Sequence, residues 1–435
     1  MERFALSRMK EWKENENRKP LIIRGARQVG KTWIMKTFGQ QYFEKTAYLN
    51  FDNNARMKQV FEGDLDIERL VLSISAETGV SIEAENTLII FDEVQEVPKA
   101  LTSLKYFYEN APQYAIVAAE SLLGVALHQG TSFPVGKVDF LDLYPLNFRE
   151  FLCAMGEKQF VSMLDSCDTQ MVTVFKTKYI ERLREYYFVG GMPEVVKDFS
   201  EKKDYNRVRA IQKNLINYYQ QDFSKHAEIK LVPRLNLVWN SIPMQLAKEN
   251  KKYIYGQVRE GSRAKDFELA IQWLLDCGLI HKVQRIQKPD LPLKAYIDFD
   301  AFKLFLVDIG LLIAMTDLDA KVIIEGNKIF TEFKGALTEQ YILQQLISDV
   351  GVIPYYYSTQ NSKGEIDFLV QGKTSVIPIE VKAEENLKAK SLKAFCEKYQ
   401  PSYAVRTSMS DYREQDWMTN IPLYAVKWIK NYVNQ

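Results

Sequence analysis

"KPLIIRGARQVGKTWIMKTFG", residues 19–39, decides how the rest of the chain is read. Leu21, Ile22 and Ile23 make a short apolar run suited to a strand buried on both faces. Gly25 to Thr32 then fit G-x-x-x-x-G-K-[S/T] at every fixed position. Glycine at Gly25 and Gly30 lets the backbone wrap closely, so that the amides of Gly25, Ala26, Arg27, Gln28, Val29 and Gly30 can point at phosphate oxygens. Lys31 supplies a point charge for the β- and γ-phosphates, and Thr32 a hydroxyl for Mg²⁺. Trp33 to Phe38 continues as a helix whose positive end faces the anion. The plain alternative is a glycine-containing loop that matches by accident.

A second stretch answers the first. "NTLIIFDEVQEVP" runs through Leu88–Phe91 and ends in Asp92 and Glu93. A buried strand delivering an acid at its carboxyl end suits Asp92 for holding Mg²⁺ through water, with Glu93 placed to polarise an attacking water. A third apolar run, Tyr114 to Ala118, leads to Ser121, which is either a γ-phosphate sensor or a helix-capping serine. The cofactors expected are ATP (or GTP) and Mg²⁺.

Composition bounds the remainder. A chain of 435 residues holds about two to four domains. Hydrophobic content of 46% and charged content of 26% are ordinary for a globular protein. The net charge of +1 does not by itself indicate a partner. Cys153, Cys167, Cys277 and Cys396 lack metal-ligand spacing, and the charged N-terminal stretch lacks the apolar core of a signal peptide. No apolar run is long enough for a bilayer. The expectation is a soluble cytoplasmic protein with no membrane partner.

Downstream, the chain reads as helical and aromatic to about residue 230, broken by a turn at Gly190, Gly191 and Pro193. Phe267, Ala270, Ile271 and Leu274 then mark one helical face, Gly278 a stop, and Leu279–Ile286 a strand. With the helix in "LNLVWNSIPMQLAKEN" these complete a winged-helix pattern. Lys248–Lys294 holds ten Lys and Arg against six Asp and Glu, an excess of four. That favours phosphate contacts, DNA before RNA, although a protein-binding or spacer role fits equally.

Near the C-terminus, "GEIDFLVQGKTSVIPIEVK" predicts a hairpin with Ile366, Phe368 and Val370 on one face and Asp367 on the other. Glu380 and Lys382 share a face, so Asp367 and Glu380 can converge, and Glu339 lies upstream on an apolar helical face. Such a set could hold Mg²⁺ through Asp367 and Glu380, with Lys382 stabilising a hydroxide or the transition-state charge. Alternatively it is a surface ion pair, and Pro378 suggests an edge strand.

In family order, "RKPLIIRGARQVGKT", "YLNFDN", "FDEVQEVP", "SLLGVALH", "SFPVGKVDFLDLYPLNFREFL", "YYFVGGMPEVV" and "FLVDIGLL" resemble the prokaryotic AAA-type ATPases that carry a C-terminal companion domain of unknown function. The resemblance implies an α/β chain: a P-loop NTPase domain (1–150), a helical junction (151–230), a winged-helix-like domain (231–325) and a restriction-endonuclease-like domain (326–435). It further implies ATP binding at Gly25–Thr32, Mg²⁺ coordination through Asp92 and hydrolysis assisted by Glu93. Helix acid, strand acid, then E-x-K is also the order found in restriction-endonuclease-like nucleases. Two positions depart from the family pattern: Glu120 stands where relatives carry glycine, and Lys137 where many carry arginine. With no arginine finger found, an oligomer is possible. The leading expectation is an ATPase coupled to nucleic-acid binding or cleavage. The alternative is an ATP-driven regulatory switch whose C-terminal domains bind protein and cut nothing.

Overall fold

Leu21–Arg24 (β1), Lys45–Asn50 (β2), Thr87–Asp92 (β3), Ala115–Ala119 (β4) and Asp139–Asp142 (β5) form one parallel sheet in the order β2-β3-β4-β1-β5. β3 and β4 are buried at every residue, which is why their sequences are unbroken apolar runs rather than alternating ones. This computed structural model describes residues 2–120, 133–248, 251–324, 331–359, 364–385 and 389–435. The chain divides into two units: Glu2–Tyr144 with Asp276–Leu279, and Pro145–Leu275 with Ile280–Gln435. Among the described residues no helix is long and apolar enough to cross a membrane.

In the first unit, β4 lies between β1 and β3, with Ile23 opposite Ala119 and Phe91 opposite Ala118. The loop after β1, the acids ending β3 and Glu120 after β4 therefore leave the sheet at one carboxyl edge, the usual ligand edge of an open α/β sheet. Phe51, Phe61 and Phe91 pack edge-to-face with centroids 5.3–5.7 Å apart and anchor the β3 side of the core. Each such pair adds about 1 kcal/mol beyond its buried area.

The second unit joins what the sequence divides into three domains. Ile280–Ile286 (β6), Ile297–Leu306 (β7), Tyr355–Ser358 (β8), Glu365–Gln371 (β9), Val376–Val381 (β10), Val405–Ser408 (β11), Arg413–Gln415 (β12) and Met418–Pro422 (β13) form one sheet, ordered β12-β13-β11-β10-β9-β8-β6-β7. The expected helix–helix–hairpin order is present, as Val232–Leu246, Tyr255–Val258, Ala264–Asp276 and the antiparallel β6–β7 pair. The hairpin is no free wing, because β6 pairs in parallel with β8 at Arg285–Tyr356 and Ile286–Tyr357. The last six residues of β7 are all buried, so this edge has cover on both faces. Pro378 also corrects an expectation: β10 lies between β9 and β11 rather than at an edge. The β11 register begins only at Ile379, so that neighbour does not call on the missing proline N–H.

Three of the family-like phrases meet at one buried hub of this unit. Lys176–Val189 (a helix) delivers the turn Gly190–Gly191, whose backbone bonds Leu146 on one side (Leu146 N to Gly191 O, 2.7 Å) and Asp308 on the other (Gly191 N to Asp308 Oδ2, 2.6 Å). Asp308 also caps the helix Ile309–Met315 by accepting from Leu311 N, and accepts from Gln344. Gly190 has φ +74°, and a Cβ on Gly191 would stand 2.1 Å from the Leu146 carbonyl oxygen. The signature is thus a packing device rather than a chemical one. Gly191→Ala is expected to cost at least about 3 kcal/mol or to prevent folding, read by denaturant unfolding of the full chain. A loss under 1 kcal/mol would show that the hub can relax.

Candidate functional site

The cradle after β1 has the backbone its motif requires. Gly25 has φ +148°, and a Cβ there would meet Leu143 O at 2.1 Å, while Gln28 (φ +65°) and Gly30 (φ +95°) turn the chain into the helix Lys31–Tyr42 (α1). The Lys31 ammonium is buried and folds back onto its own loop, donating to Gly25 O (2.7 Å) and Ala26 O (2.8 Å). Burial lowers Lys31 to about 8, against the pull of Glu93 and Asp92. Arg3 takes a further loop carbonyl, Val29 O at 2.9 Å, and Tyr144 O at 2.6 Å. With these carbonyls occupied, the loop amides are the groups left for an anion.

The acids meet the cradle as expected. Thr32 Oγ1 donates to Asp92 Oδ2 at 2.7 Å, so a hydroxyl and a carboxylate converge as hard-cation ligands do. Tyr48 donates to the same oxygen at 2.9 Å. Glu93 is left-handed (φ +53°) and accepts a hydrogen bond from Gln95. Glu120 is 1% exposed, and neither of its carboxyl oxygens has a hydrogen-bond partner among the described residues. Burial pushes its carboxyl up to about 8; Lys31 opposes that and Glu93 adds to it. Lys137 pairs with Glu109 at 3.0 Å. Ser121 lies outside the described residues. Sequence reasoning missed Arg3 and Tyr48: Arg3 stands 22 positions before Gly25 and matches no spacing rule, whereas Tyr48 lies inside the quoted "YLNFDN".

The acids that the sequence groups as a metal set in the second unit each have protein partners. Tyr355 pairs with Leu369 but Tyr357 with Ile366, so β9 carries one extra residue at the 367–368 position. This bulge breaks the expected alternation: Ile366 shares a core cluster with Leu369 and Leu392, while Phe368 packs on Phe305. Asp367 accepts from Val381 N at 2.7 Å and hydrogen-bonds Glu339 of the helix Thr331–Gln345. Lys251 pairs with Glu339. The fully buried Lys303 pairs with Glu365 and lies 3.6 Å from Glu339 Oε2. Burial and the Glu339 carboxylate push Asp367 up to about 8, while Lys251 and Lys303 hold Glu339 below the usual range despite its burial. Two ammoniums, two carboxylates and one carboxylic acid then balance to zero.

Glu380 has other partners. Its Oε1 pairs with Lys382 Nζ at 2.6 Å, and its Oε2 accepts from Leu392 N at 3.1 Å in the first turn of Lys390–Tyr399. That is helix capping plus an ion pair. Asp367 and Glu380 thus share no partner, and among the described residues no group of three His, Cys, Asp or Glu side chains could hold a metal.

Comparison with known proteins agrees with the first unit. A family model described as an AAA domain matches residues 17–152. Two domains of unknown function, DUF8612 and DUF4143, match residues 180–322 and 334–426. No curated protein matches the chain. Among solved structures, the Walker-type ATPase PABY2304 of Pyrococcus abyssi is similar at 15% identity and TM-score 0.45, over 72% of this chain and 95% of that one. The Aeropyrum pernix ORC1 protein, solved in complex with DNA, is similar at 12% identity and TM-score 0.27, over 72% and 91%. Cdc6p from Pyrobaculum aerophilum follows at 9% and 0.24, over 72% and 92%. At those scores the three structures carry no argument. The AAA domain match, together with the cradle and its acids, makes residues 17–152 a P-loop domain that hydrolyses ATP.

Proposed function

We propose that this ATPase domain binds ATP through Gly25–Thr32, and that its cycle controls nucleic-acid binding by the second unit, which does not cut. The observation that carries the nucleotide site is the 2.7 Å contact of Thr32 with Asp92 beside a cradle built on two positive-φ glycines. These residues fit Mg·ATP. The metal, when bound, neutralises phosphate charge, and Thr32 and Asp92 would hold it. The loop amides orient the phosphates, and Lys31 leaves the Gly25 and Ala26 carbonyls to meet them. Glu93 takes the proton of the attacking water, and Gln95 fixes the orientation of that carboxylate until then.

Support for nucleic acid comes from the cationic excess of Lys248–Lys294 on a helix–helix–hairpin arrangement. A second reading, a protein-binding switch, is favoured by the outward face of Ala264–Asp276. Leu269 is 70% exposed there, between the exposed Lys265, Glu268 and Gln272, a mixed face with a single cation. Cleavage is left out of this reading because the acids are already engaged, Glu339 by Lys251 and Lys303, Glu380 by Lys382, and Asp367 by Val381 N.

Steady-state ATP turnover with and without DNA or RNA separates these readings. Under the first, duplex DNA stimulates turnover about fivefold or more and the stimulation fades with salt. Turnover indifferent to every nucleic acid at low salt would leave the protein-binding switch.

A further inference from the structure

Glu120 stands at the carboxyl edge of the first sheet, and the ATP mechanism above does not use it. It follows β4, the strand between the cradle strand β1 and the acid strand β3, and its own N–H reaches Ile23 O of β1 at 3.4 Å. It is as buried as a core residue, yet both carboxyl oxygens lack a hydrogen-bond partner among the described residues. A carboxylate desolvated in this way, without donors, gives up its charge and stays protonated. The charged groups acting on it are Lys31 of α1 and Glu93 of the turn after β3, the two side chains to which the proposed mechanism gives the phosphate contact and the attacking water. The first opposes protonation and the second favours it, and burial outweighs both.

We propose that Glu120 is a terminal-phosphate contact of the ATP site, a neutral carboxylic acid that donates its proton to a γ-phosphate oxygen and so favours ATP over ADP. The proposal rests on the assignment of the nucleotide site to Gly25–Thr32. This buried acid has no partner among the described residues, and a third phosphate would supply one. ADP leaves it unsatisfied. A hydrogen bond to a charged acceptor is worth roughly 10- to 100-fold in affinity, which sets the size of the preference.

The experiment is equilibrium binding of Mg·ATP and Mg·ADP to the full chain at pH 7, for the wild type, Glu120→Leu and Glu120→Gln. The expected result is an ATP preference in the wild type at pH 7 that falls roughly tenfold or more in Glu120→Leu, with ADP affinity kept as the sign of a folded site. Glu120→Gln, which offers a neutral N–H donor of the same reach, keeps most of the preference. A Glu120→Leu protein with the wild-type ratio of ATP to ADP affinity would overturn the proposal. So would tighter ATP binding in either variant. A wild type that binds neither nucleotide would overturn the nucleotide site itself.

Discussion

Lys31→Ala yields a folded protein that no longer holds ATP, with affinity lowered at least about 100-fold. The side chain is already inside the cradle, with its ammonium on the Gly25 and Ala26 carbonyls and almost no solvent exposure. Exchanging those two carbonyls for phosphate oxygens replaces neutral acceptors with charged ones in a site that excludes water, where such contacts are strongest. Alanine leaves the phosphates without the ammonium of the cradle. Because the lysine also ties the loop together, thermal unfolding belongs beside the titration. A variant that melts like the wild type and binds no ATP is the expected pair of results. Binding within a few-fold of the wild type would remove Lys31 from the site.

Glu93→Gln separates binding from chemistry. The carboxylate is not a neighbour the phosphates need, so ATP affinity stays within a few-fold. Turnover falls about 10²- to 10⁴-fold, the span that one positioned general base contributes. The left-handed backbone of Glu93 (φ +53°) sets this carboxylate apart from Asp92, and the Gln95 amide orients it. Measuring phosphate release and nucleotide binding on the same preparation decides the point. Parallel loss of both would make Glu93 a binding residue instead.

The cradle strand and the acid strand of the first unit were readable before the structure was known. Leu21–Ile23 and Leu88–Phe91 are apolar without alternation because both faces of the sheet are covered. Arg3 was hidden because its partners, Val29 O and Tyr144 O, are backbone carbonyls and leave no side-chain pattern in the sequence. The second unit misled where strict alternation was assumed. One extra residue in β9 turned Asp367 toward Glu339, and Glu380 went to the start of a helix instead. Lys251 and Lys303, 116 and 64 residues before Asp367, cancel the charge of the acids, and nothing in the E-x-K stretch signals them. The turn at Gly190–Gly191 was visible as a turn. Its reason, contact of two backbones and a buried aspartate, needs Leu146 and Asp308 in place.

The most direct measurement is phosphate release from ATP by the full chain, with and without Mg²⁺, beside Glu93→Gln. The account predicts turnover in the wild type that requires the metal, and a variant that binds ATP yet releases phosphate at least about 100-fold more slowly. Equal turnover in the two proteins would contradict it.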